Sequence, residues 1–96
     1  MKGNSLCDFI DDLLTMGGPE KEFTYDGKTY MLETTFDAKT HFHEMVVFEC
    51  TDDNEEYIFR SVKKTLHECV EDFENAAVFN GKTFYEVEQD VEVLFG

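Results

Sequence analysis

Two hydrophobic periods alternate along the chain. Leu6, Phe9, Ile10, Leu13 and Leu14 recur at helical spacing, which puts them on one face of a helix. Ser5 and Asp8 stand where a capping box would start it, and Gly17-Gly18-Pro19 stops it, because glycine tolerates the reversal and proline cannot continue the hydrogen bonding. The first helix therefore runs over about residues 5–16. The period then changes to two. Phe23-Thr24-Tyr25-Asp26-Gly27-Lys28-Thr29-Tyr30 places Asp-Gly between β-prone residues, the signal of a type I′ hairpin whose central residues both need positive φ. Its second arm runs from Thr29 to about Phe36, Asp37-Ala38-Lys39-Thr40 turns the chain, and a third strand spans about Phe42 to Cys50. Phe42, Val46, Phe48 and Cys50 share one face of it. A shorter fourth strand is expected over Tyr57-Ile58-Phe59-Arg60.

Helical spacing returns with Val62, Leu66, Cys69, Val70, Phe73 and Ala77, and Ser61 is the expected N-cap. The tail supports two readings. Tyr85, Val87, Val91, Val93 and Phe95 alternate like a strand, and Phe79-Asn80-Gly81-Lys82-Thr83-Phe84 repeats the turn chemistry of residues 25–30. Phe84, Val87, Val91 and Leu94 instead fit a helix, opened by a capping box of Thr83 and Glu86. A short third helix over about 84–92 is the expectation. The fold class is thus α+β: an antiparallel meander of about four strands, flanked by an N-terminal helix and one or two C-terminal helices packed on one face. Its 96 residues suit a single compact acidic domain, residues 1–96.

Charge changes the picture most. Asp and Glu number 22 against eight Lys and Arg, a formal net charge of −14. Solubility needs a net charge of only about 2–8 in a small domain. Such a chain repels nucleic acid and anionic membranes and is steered to basic surfaces. The acids also come in one-signed runs. Glu49, Asp52, Asp53, Glu55 and Glu56 precede any cation until Arg60; Glu68, Glu71, Asp72 and Glu74 precede any until Lys82. These nine residues are the expected partner-binding set, since closely spaced carboxylates can engage arginines and lysines built for a nucleic-acid backbone.

No catalytic signature competes with this reading. Gly27-Lys28-Thr29 and Gly81-Lys82-Thr83 resemble the end of a P-loop, but Glu22 and Ala76 stand where its first glycine belongs. Asp52, Asn54 and Glu56 begin like a calcium loop, which then fails at Tyr57 and Lys63. His41 and His43 could share a strand face, with Glu49 or His67 completing a metal site, yet no second paired-ligand motif exists. His67 and Cys69 are two apart on a helix and point to different sides. Neither cofactor nor metal is expected, and the protein is not expected to be an enzyme. Cys7, Cys50 and Cys69 have no CxxC spacing and read as reduced thiols of a cytoplasmic protein. No apolar run is long enough to span a membrane.

The order helix, antiparallel strands, helix, short helix on an acidic chain of this length resembles the small phage-encoded inhibitors of CRISPR nucleases. In particular it resembles the DNA-mimicking anti-CRISPR proteins directed at type II-A effectors. The likeness covers size, charge and element order over most of the chain and includes no motif, so no residue role is carried over. The N-terminal hairpin arm departs from it. The resemblance implies an inhibitor that acts in an infected bacterial cell and occupies the site where a nuclease reads duplex beside its target, a site that uses arginine forks. Two alternatives stand beside it: an immunity protein against a basic toxin nuclease, and a homo-oligomeric adaptor joined through its sheet or through Val91 to Phe95.

Overall fold

A computed structural model describes residues 1–15, 20–51 and 54–95. Helix α1 spans Leu6–Thr15, strands β1 to β4 span Glu20–Tyr25, Lys28–Asp37, Phe42–Thr51 and Asn54–Lys63, helices α2 and α3 span Leu66–Asn75 and Phe84–Val87, and β5 spans Glu92–Phe95. A 3-10 turn, Glu88–Asp90, links the last two. The fold is α+β, with one antiparallel sheet in the order β4-β3-β2-β1-β5.

Each turn has a local cause. Asp26 and Gly27 have φ values of 53° and 75°, as the I′ hairpin requires. Asn80 and Gly81 repeat that pair at 55° and 77°, closing a small turn in which Phe79 and Lys82 exchange backbone hydrogen bonds of 3.0 Å. The resemblance between residues 25–30 and 79–84 is therefore shared turn chemistry. Ser5 Oγ accepts the Asp8 amide at 3.1 Å and so caps α1. Thr83 and Glu86 form the expected capping box.

Three expectations are corrected. Strand β4 is ten residues long and runs through Ser61 to Lys63, so Ser61 is not a helix cap. Val62 matched the helical stripe by position alone. The cap of α2 is Thr65, whose hydroxyl accepts the Glu68 amide at 3.2 Å, and the helix ends at Asn75, short of Ala77. The tail satisfies both of its readings in succession. The capping box starts α3, which lasts four residues, and β5 then pairs with β1. Lys2 lies along the far side of β5, donating to Val91 O at 2.9 Å and accepting from Val93 N at 2.8 Å. Gly3 permits this approach: its φ is +81°, and a Cβ there would lie 2.2 Å from Val93 O.

The described helices pack on one face of the sheet. Phe23, Tyr30, Leu32, Met45 and Val47 point to them, and Phe9, Leu13, Cys69, Val70, Phe73, Phe79, Phe84 and Val87 close over that layer. Phe84 sits at the centre, 5.0 Å from Phe9, 5.1 Å from Phe73 and 5.5 Å from Phe23 between ring centroids. Lys21 is the charged member of the interior, 1% exposed. Its ammonium donates to Asp12 of α1 at 2.9 Å and lies 5.1 Å from the Phe9 ring. No described helix lies on the opposite face of the sheet, and this is where the apolar face predicted for β3 points.

Candidate functional site

Strand parity defines the bare face. Residues paired across antiparallel strands share a side, so Met31 opposite Phe48, Glu33 opposite Val46 and Thr29 opposite Cys50 all project away from the helices. β4 adds Glu55 opposite Cys50, Tyr57 opposite Phe48 and Arg60 opposite Val46. β1 adds Glu20 opposite Glu33 and Glu22 opposite Met31. The parity holds only because β4 bulges: Val47 pairs with Phe59 but Phe48 with Tyr57, leaving Ile58 as the extra residue.

The result is an apolar floor with an acidic rim. Val46 is 8% exposed although no described helix covers it. Tyr57 is 64% exposed, and its ring centroid lies 4.4 Å from that of Phe48. A groove of ≈ 530 Å³ lies between Glu33, Val46, Phe48, Tyr57 and Arg60. It shares Thr35, Glu44 and Arg60 with a second groove of ≈ 830 Å³ that continues toward Phe42 and Val62.

The electrostatics of this face are strained. Burial and the neighbouring Glu20 and Glu55 raise the Glu33 carboxyl above its ordinary value. Burial raises the Cys50 thiol too, reinforced by Glu55, Glu22 and Glu33, which favours its neutral form. Arg60 adds a cation to this face, and Glu44 engages it at 2.6 Å. Carboxylates beside an exposed aromatic pair suit arginine, whose guanidinium can stack on a ring while bonding a carboxylate.

The nine expected residues do not form one patch. Of the seven that are described, Glu55 alone belongs to the bare face. Glu49 and Glu56 are directly opposite one another on the helix side, where Glu49 approaches Lys28 at 3.6 Å. Thr51 pairs with Asn54, so Glu55 and Glu56 are strand residues and not part of a turn. Asp52 and Asp53 lie outside the described residues. The acids of α2 are largely engaged. The Glu68 carboxylate accepts the Thr65 hydroxyl at 3.0 Å. Asp72 accepts the Ser61 hydroxyl at 2.7 Å and meets Lys63 at 3.7 Å. Glu74 accepts the Tyr85 hydroxyl. Glu71 faces solvent. Sequence reading missed Glu20, Glu22, Glu33 and Tyr57, although period two in Met31, Glu33 and Thr35 places them opposite the core face.

Other candidate chemistry finds no site. Cys69 is buried, its thiol directed at the carbonyls of His43 and Ser61 at 3.6 and 3.7 Å, while His67 is exposed. The Phe36 ring packs against His41 and His43. Among the described residues no three His, Cys, Asp or Glu side chains gather to hold an ion, and no helix is long and apolar enough to cross a membrane. No family model matches the chain, and no curated protein or solved structure is similar to it.

Proposed function

We propose that the protein is a non-enzymatic inhibitor that occupies the basic nucleic-acid-binding site of a nuclease with its bare sheet face. The anti-CRISPR proteins and the immunity proteins of toxin nucleases are two forms of this one physical role. The observation that carries it is the apolar pair of Phe48 and exposed Tyr57, seated beside Val46 on a sheet face that no described helix covers and rimmed by Glu20, Glu22, Glu33 and Glu55. An apolar face left open usually marks a docking surface, and the rim gives that surface its sign. Holding Glu20 opposite Glu33 works against folding, since like charges directly across a sheet are destabilising. A basic partner relieves that cost, and the arrangement inherits the long-range steering that a nucleic-acid channel exerts on polyanions.

Capture from the native host on immobilised protein tests this reading at two salt concentrations. At about 0.1 M salt, with a Debye length of about 10 Å, a basic nuclease should be retained; at about 1 M, where that length is about 3 Å, it should be lost. Duplex DNA should compete with the protein for the captured nuclease, and stoichiometric addition should stop cleavage. Glu33→Lys together with Glu55→Lys should abolish all three effects. Retention that is indifferent to salt and to these substitutions would remove the bare face from the reading.

A further inference from the structure

The two edges of the sheet are not alike. Lys2 lies against β5 and bonds Val91 and Val93, whereas β4 is terminal in the strand order and ten residues long. A long unpaired edge is a template for another strand. The charge of β4 is divided along its length: Glu55 and Glu56 stand near its start, Arg60 and Lys63 near its end, and Lys64 just beyond. A strand with opposite charges at its two ends complements a second copy of itself laid antiparallel.

We propose that β4 pairs with β4 of a second copy about a two-fold axis at Arg60, joining two sheets into one. The bulge at Ile58 selects this register. With the axis at Arg60, Phe59 falls opposite Ser61, and the bulge on each strand then brings Tyr57 opposite Val62 and Glu56 opposite Lys63. Glu55 reaches Lys64. Opposed residues in an antiparallel ladder must share a face, and here they do. Tyr57, Arg60 and Val62 project from the bare face, while Glu56, Phe59, Ser61 and Lys63 project from the helix side, as their partners in β3 require. Without the extra residue, Glu56 and Lys63 would point to opposite sides of the joined sheet. Tyr57 and Val62 are 64% and 43% exposed in the single copy, and Tyr57 of each copy would cover Val62 of the other. The two Arg60 side chains would meet at the axis, each already held by its own Glu44.

Complementary charge-swapped variants test the pairing. Light scattering on the unaltered chain in physiological salt, up to millimolar concentration, should give twice the single-copy mass of 11.2 kDa. One variant carries Glu55→Lys and Glu56→Lys, so that its own β4 pair sets lysines against lysines. The other carries Lys63→Glu and Lys64→Glu, setting carboxylates against carboxylates. Each should be a folded monomer by circular dichroism and scattering. Mixed together they should form a heterodimer, because every reversed residue then faces its opposite. An unaltered chain that stays monomeric overturns the proposal. So does a dimer that survives both substitutions, which would place the contact elsewhere, or a mixture of folded variants that fails to associate.

Discussion

Glu33 shows what a single side chain contributes to the bare face. Its carboxyl is raised above the ordinary 4.5 first by burial, then by Glu20. A raised acid favours the protonated fold: the associated stability is complete below the unfolded value and is lost as pH rises through the higher folded one. At neutral pH Glu33 therefore works against folding. Glu33→Gln should raise stability at pH 7, by about 0.5 kcal/mol on the scale of cross-strand pairs, and should weaken capture of a basic partner. Chemical denaturation of the two proteins measures the first effect; a lower midpoint for the glutamine form would contradict it. Tyrosines give a second test with the same sign. Burial, with Glu49 behind it, raises Tyr30 to about 12, and the bond to Glu74, followed by burial, raises Tyr85 to about 12, both from 10.0. Their stability contribution is intact below pH 10 and declines toward pH 12. Tyr30→Phe and Tyr85→Phe should each remove one late component from an alkaline ultraviolet titration.

At the scale of elements, termini decide more than interiors. α3 is four residues long and too short to hold itself together, so its box matters. Thr83→Ala removes the cap of the Glu86 amide and should cost about 1 kcal/mol. Glu86 agrees in sign: bonds from the Thr83 backbone and side chain lower its carboxyl, so this support is present at neutral pH and fades on acidification through the lowered value. Gly3 is the other such point. Gly3→Ala meets both positive φ and Val93 O and should cost about 1–3 kcal/mol, with faster amide exchange along β5 as its mark.

Periodicity made most of these elements legible. Period two set the strands, Asp26-Gly27 set the first turn, and the helical stripe set α1 and the buried side of α2. What it did not reveal has physical causes. Val62 satisfies a helical stripe and an edge strand equally, so sequence alone started α2 too early. A bulge changes no residue type, so Ile58 left no trace, yet it determines which acids of β4 share a side. The capping box and the alternation from Val91 were both real signals, and they compete only if one element must fill the tail. For the site, a carboxylate that receives a hydroxyl reads the same in sequence as one left to solvent. That is why sequence groups Glu68, Asp72 and Glu74 with Glu55.

The whole molecule balances an aromatic interior against its own charge. Phe84 touches rings from α1, β1 and α2 as well as Phe79, so Phe84→Ala should cost about 3–5 kcal/mol. Domains of this size have only about 5–15 kcal/mol in all, and the net charge of −14 lowers that total through self-repulsion. Salt should therefore act in opposite directions on stability and on partner binding. The described ion pairs engage Asp12, Glu44, Glu49, Glu88 and Asp72, so the excess of carboxylates over cations is repulsive in the folded state. Raising salt from about 0.01 M to about 0.15 M shortens the Debye length from about 30 Å to about 8 Å and screens that repulsion. The melting temperature should climb over this range, while affinity for a basic partner falls over the same range. Reversing Glu33 and Glu55 to lysine should flatten both trends, since the same carboxylates that oppose folding are those that attract the partner. A melting temperature that drops with added salt would mean that attractive pairs outweigh repulsion, and the link between the charge of the bare face and its use would be broken.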